Sequence, residues 1–101
     1  MVRHIILWKL KEAYTPEEKA GIRAGIKEGL EGLGGRIPGL ISIRVVADGL
    51  LPSGNADVML DSCFESADAL RAYAVNLEHN AVANAKVRPF VQTRLALDFE
   101  A

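Results

Sequence analysis

The run Val2-Arg3-His4-Ile5-Ile6-Leu7-Trp8-Lys9-Leu10 alternates with the two-residue period of a β-strand. Val2, His4, Ile6, Trp8 and Leu10 fall on one face, and Arg3, Ile5, Leu7 and Lys9 on the other. Both faces are apolar at their centre, so both are expected to be covered.

A helix follows. Thr15 suits an N-cap, Pro16 the first helical position, and Glu18 completes a Thr-x-x-Glu capping box. Ile22, Ile26, Leu30 and Leu33 form one apolar stripe. Gly34-Gly35 is expected to end the helix, because glycine reaches the left-handed conformation at no steric cost. Ile37-Pro38-Gly39 then turns the chain into a second strand over 40–47. There Leu40, Ser42, Arg44 and Val46 oppose Ile41, Ile43 and Val45. Gly49, Pro52, Gly54 and Asn55 mark 48–56 as an exposed loop.

A third strand over 57–64 sets Val58, Leu60 and Phe64 on one face. Ser66 caps a short helix reaching Tyr73, with an interruption at Asn76 or Leu77. A further helix over 79–87 stops near Pro89. In the last strand, over 90–99, Val91, Thr93, Leu95, Leu97 and Phe99 alternate against Gln92, Arg94 and Asp98.

The order strand–helix–strand, strand–helix–strand is that of two interleaved crossover units. The expected fold is α+β and ferredoxin-like, βαββαβ, with helices on one face of a four-stranded antiparallel sheet. The opposite face, assigned here His4 and Trp8, needs another cover, and a second copy of the chain is the expected one. The pair would form a dimeric α/β barrel.

Composition bounds the function. The 101 residues fit one domain over 1–101, and half of them are hydrophobic. A chain this short buries only about 60–65% of its unfolded surface, which leaves apolar surface for a partner. Lys plus Arg number 12 against 13 Asp plus Glu, for a formal net charge of -1. That balance argues against nucleic acid as a partner and gives no reason to expect an anionic membrane surface. Cys63 is the one cysteine, so neither an internal disulfide nor a cysteine metal cluster can form, and a buried, inert thiol is expected. Arg3, His4 and Lys9 interrupt the apolar start too soon for a signal peptide or a membrane span, so the cytoplasm is the expected compartment.

Gly21, Gly25 and Gly29 recur every four residues beside the Ile22–Ile26–Leu30 stripe. One reading is a close backbone approach to a partner helix or ligand. The other is dense packing on the sheet, or simply a tolerated small-residue face. No glycine-rich phosphate loop is expected, since Gly32, Gly34 and Gly35 close a helix and do not open one.

Val2-Arg3-His4, Ile37-Pro38-Gly39-Leu40, Asp57-Val58-Met59-Leu60 and the run from Phe64 to Tyr73 occur in order, followed by His79. Together they resemble the stress-responsive dimeric α/β-barrel (Dabb) domain family along nearly the whole chain. The resemblance implies a ferredoxin-like protomer that pairs through its open sheet face. Some members are polyketide cyclases, and in those a tyrosine and a histidine placed like Tyr73 and His79 carry the chemistry. A first-strand histidine, matched by His4, shares their cavity. One departure concerns that site: members often read His-Pro-x-His where this chain has Asn76-Leu77-Glu78-His79.

The residue types suit an aldol cyclisation. A histidine can take a proton beside a carbonyl near neutral pH, and a tyrosine hydroxyl can donate to the developing oxyanion. His79, near a helix start, is expected to stay neutral because the dipole disfavours its imidazolium. A structural role, tying the helix junction to a carbonyl, is the competing reading of His79. His4, Ile6 and Trp8 are the expected ligand-binding residues, although His4 also suits a hydrogen-bonded core position and Trp8 a plain filler. Asp57, Asp61 and Asp98 read as solvated strand ends, and no metal or cofactor is expected. Three functions stay open: binding of a small apolar or aromatic molecule, a cofactor-independent cyclase or lyase, and a cofactor-independent monooxygenase.

Overall fold

The computed structural model describes residues 1–51 and 56–101. Strand β1 (Val2–Leu10) leads to helix α1 (Pro16–Glu31), then to strands β2 (Leu40–Val46) and β3 (Val58–Phe64). Two short helices follow, α2 (Ala67–Ala74) and α3 (Leu77–Val82). A π-helical turn (Ala83–Val87) and a 3-10 turn (Arg88–Phe90) then lead into β4 (Val91–Glu100). The sheet has the order β2-β3-β1-β4 with every neighbouring pair antiparallel, which is the ferredoxin-like arrangement. Among the described residues no helix is long and apolar enough to cross a membrane.

The capping box forms as read. Thr15 Oγ1 accepts from the Glu18 N–H at 3.1 Å, and Glu18 Oε1 accepts from the Thr15 N–H at 2.8 Å. The helix ends earlier than expected, at Glu31, with Gly32 as C-cap. Gly35 adopts the left-handed conformation four residues later, inside the turn that follows. The loop expected over 48–56 is described at its ends only, since residues 52–55 lie outside the described residues.

Strand parity held for β1 but its assignment to faces did not. Val2, His4, Ile6, Trp8 and Leu10 are buried beneath the helices together with Val58, Leu60, Phe64 and the α1 residues Ile26 and Leu30. Each fully buried aliphatic or aromatic side chain there contributes roughly 1.5–3 kcal/mol relative to exposure. The open face is therefore the other one. The β1–β4 register pairs Leu7 with Leu95, Ile5 with Leu97 and Arg3 with Phe99, so these six side chains share that face. Leu95 is 70% exposed, Leu97 63% and Phe99 44%. Alternation shows which residues share a face, but both faces of β1 are apolar, and only the packing of α1 shows which one the helices cover.

Two bulges correct the parity of the other strands. Leu40 pairs with Phe64 and Ser42 with Cys63, leaving Ile41 as the extra residue, half exposed. Leu40 thus joins Ile43 and Val45 at the core and does not share the face of Ser42, Arg44 and Val46. A second shift at Lys9/Leu10 turns Val91 inward, away from the face of Thr93 and Leu95.

Edge strand β2 is tied to α1 through its backbone. Glu31 Oε2 accepts from the Val45 N–H at 2.9 Å, Lys27 Nζ donates to the Val45 carbonyl at 2.9 Å, and Lys27 also donates to Glu31 at 2.8 Å. Burial alone would push the Glu31 carboxyl up. The Lys27 hydrogen bond, the Val45 N–H and the charges of Lys27 and Arg44 outweigh it and hold the group below its ordinary value.

The glycine stripe packs against other helical segments of the chain and not on the sheet. A Cβ at Gly29 would lie 2.9 Å from Val82 Cγ1, and one at Gly25 would touch the Lys86 side chain, whereas Gly21 faces open space. The close approach is of α1 to α3 and the π-helical turn of the same chain.

Candidate functional site

A cavity of about 640 Å³ opens between the inner face of β1 and β4 and the helices α2 and α3. Its size lies within the range of small-molecule sites. The expected site residues all reach it: His4, Ile6 and Trp8 from β1, Tyr73 from α2 and His79 from α3.

Local sequence explains how each is held. Ser66 Oγ accepts from the Ala69 N–H and starts α2, whose Ala67, Leu70, Tyr73 and Ala74 line the cavity at helical spacing. Asn76 is the interruption between the helices and also the cap of the next one. Its Oδ1 accepts from the N–H groups of Glu78 at 2.9 Å and His79 at 3.2 Å. The helix expected from His79 therefore starts two residues earlier, at Leu77, and its last turns widen into the π-helical segment. Asn80 closes the junction by donating to the carbonyls of Ala74 and Asn76.

The two rings meet across this junction. Tyr73 and His79 stack with centroids 3.9 Å apart and planes inclined by 28°. His4 stands edge-on to Tyr73 at 6.3 Å, and its Nδ1–H donates to the Asp98 carboxylate. The Tyr73 hydroxyl and His79 Nδ1 are both buried without a hydrogen-bond partner among the described residues. Burial pushes the Tyr73 phenol up to about 12. Burial also holds His79 below its ordinary value; a contribution from the Tyr73 carbonyl opposes this, and the neighbouring Arg88, His4 and Arg94 reinforce it electrostatically. The main cause of the lowering is desolvation, whereas the sequence suggested only the helix dipole.

Such a pair can do acid–base work. The phenol stays protonated and able to donate, and the imidazole stays neutral and able to accept a proton. An unpaired buried hydroxyl costs roughly 1–3 kcal/mol, which a ligand oxygen would recover.

The aspartates read as solvated strand ends all have partners. Asp57 Oδ2 accepts from the Leu10 N–H at 2.8 Å, Asp61 pairs with Arg3, and Asp98 pairs with His4. Asp98, expected to be a solvated strand end, lines the cavity, and so do Arg88 and Arg94, which the sequence did not single out. The alternation of β4 contained the signal for Arg94 and Asp98, but it becomes readable only with the register that sets them opposite Trp8 and His4. Among the described residues no three His, Cys, Asp or Glu side chains converge as a metal site. Cys63 is buried on the open-face side of the sheet, its Sγ 3.8 Å from Met1 Sδ.

The chain is similar to several solved structures. A dimeric protein of ferredoxin-like fold and unknown function from Bacteroides fragilis is 29% identical, with a TM-score of 0.89 over 99% of this chain and 95% of that one. A dimeric ferredoxin-like protein of unknown function from Thermobifida fusca is 27% identical, with a TM-score of 0.76 over 99% and 90%. An antibiotic biosynthesis monooxygenase superposes with a TM-score of 0.71 over 100% and 98%, but at 12% identity the likeness is one of fold. No curated protein matches the chain. The family model described as Stress responsive A/B Barrel Domain (Dabb) matches residues 2–101, and the chain belongs to that family.

Proposed function

We propose that the protein is a homodimer that binds a small carbonyl compound of polyketide type in the cavity of each protomer and cyclises it without a cofactor. The stacked Tyr73–His79 pair carries this reading, because the Tyr73 hydroxyl and His79 Nδ1 are buried without a hydrogen-bond partner among the described residues, and both residues line a cavity of ligand size.

In the proposed reaction the neutral His79 ring takes a proton from the carbon beside a carbonyl. The Tyr73 hydroxyl donates to the enolate oxygen that develops. The carbanion attacks a second carbonyl of the same chain, forming a carbon–carbon bond, and the resulting alkoxide recovers the proton from the imidazolium. Ile6 and Trp8 supply apolar contact, and Asp98 fixes the orientation of His4.

The dimer in this reading forms through the open sheet face, whose Ile5, Leu7, Leu95, Leu97 and Phe99 would otherwise meet water. The dimeric state of the Bacteroides and Thermobifida proteins supports it. The likeness to a monooxygenase, being one of fold, lends no support to oxygen chemistry here.

A panel of linear polyketides incubated with wild type and with His79→Ala tests the chemistry. Ring-closed product is expected with wild type alone. Equal product from both proteins would remove His79 from the mechanism.

A further inference from the structure

Apart from His4, the cavity is apolar along β1, whereas along β4 it is charged, and the charges are sorted by position. On the inner face of β4, Arg94 stands opposite Trp8, Asp98 opposite His4 and Glu100 opposite Val2. The span from Arg94 to Glu100 is about 20 Å at the rise of a β-strand. Asp98 is engaged by His4. Arg94 forms no hydrogen bond or ion pair among the described residues, although it lines the cavity.

Arg88 enters the same cavity from the 3-10 turn and is held in place. Its Nη1 donates to Asn84 Oδ1 at 2.6 Å, and its Nη2 to Asn80 Oδ1 at 3.0 Å. Asn80 is itself anchored at the helix junction, so this guanidinium is fixed by neutral partners that leave its charge uncompensated. Two guanidinium groups without a carboxylate partner thus border a pocket whose base is a neutral histidine. Both also lower the proton affinity of His79, which places their fields at the reacting pair.

We propose that Arg94, assisted by Arg88, is a carboxylate-recognition subsite, and that the ligand of this cavity is a keto acid. The reading rests on the proposed function and names its substrate class. A guanidinium presents a planar fork that matches a carboxylate in two parallel hydrogen bonds. A carboxylate seated there would be kept away from Glu100 at the far end of the strand, which sets the direction of the ligand. Its apolar and carbonyl parts would then lie along Ile6 and Trp8 toward Tyr73 and His79.

Trp8 is the single tryptophan of the chain and lies in the cavity, so its fluorescence reports binding directly. Wild type, Arg94→Gln and Arg94→Lys are titrated with 3-benzoylpropionate and with its methyl ester. Wild type is expected to bind the acid at least tenfold more tightly than the ester. Arg94→Gln should erase that preference while leaving ester affinity within about twofold, and Arg94→Lys should retain part of it. Equal affinity of wild type for acid and ester, or an acid preference that survives in Arg94→Gln, overturns the subsite and leaves cavity binding standing. Binding of neither compound overturns both.

Discussion

Tyr73 and His79, six residues apart, stack at 3.9 Å across the Asn76 cap, and each contributes a buried polar atom without a hydrogen-bond partner among the described residues. Packing normally avoids such atoms, and here two occur together at the wall of a cavity. This pairing makes stability and function separable by mutation.

Tyr73→Phe removes the unpaired hydroxyl and keeps the ring stack. Thermal unfolding should show stability unchanged or raised by up to about 1 kcal/mol, because no partner is lost. Cyclisation should fall by about 100-fold, the scale of losing one oxyanion donor. A clear drop in melting temperature would mean that the hydroxyl is hydrogen-bonded in the folded protein.

His79 should titrate below 6.5, its burial disfavouring the charged ring. As pH falls from about 6.5 through the folded value, the unfolded chain takes up the proton first, so stability declines across that window. The acid limb of the rate profile should follow the folded value. Ring resonances followed by NMR against pH measure it, and a midpoint at or above 6.5 would contradict the desolvated environment.

Glu31→Gln should lower stability at pH 7 by about 1–2 kcal/mol through the weakened ties to Lys27 and Val45. The Glu31 value lies below its ordinary 4.5 in the fold, so the wild-type advantage is present above that pH. It should vanish as pH falls through the folded value. Urea midpoints for both proteins, followed from pH 7 down to the lowest pH at which both stay folded, check this, and a difference that does not shrink with falling pH would refute it.

Leu97→Lys places a charge in the middle of the open face. Sedimentation equilibrium should return twice the chain mass for wild type and the single chain mass for the variant, with the fold retained by circular dichroism. A variant that still dimerises would move the interface elsewhere.

Two glycines should respond in opposite directions. Gly21 sits within α1 facing open space, so Gly21→Ala should stabilise by about 0.5–1 kcal/mol. Gly39 has φ of 79°, and a Cβ there would lie 2.5 Å from that of Ala69, so Gly39→Ala should cost about 2 kcal/mol or more. Melting temperatures of both variants decide the pair.

The elements of the fold were legible because they rest on local physics. The Thr15–Glu18 capping box, the Ser66 cap and the alternation of β1 and β3 depend on neighbours a few residues away, and all formed where expected. The residues around the cavity were legible by another route: the family resemblance pointed to Tyr73 and His79, and the Asn76 cap between their helices emerged only in the structure.

Sequence by itself determined which side chains share a face of β1 and that the chain folds as a βαββαβ sheet; the family resemblance named His4, Tyr73 and His79 as candidates for one cavity, and strand parity added Trp8. Tertiary structure alone decided which face the helices cover, because both are apolar and only the docking of Ile26 and Leu30 discriminates between them. It also turned Leu40 and Val91 inward, through bulges whose extra residue leaves no local mark. The pairing of Asp98 with His4 and the placement of Arg94 beside Trp8 follow from the β1–β4 register, a contact between chain ends that periodicity along one strand cannot encode.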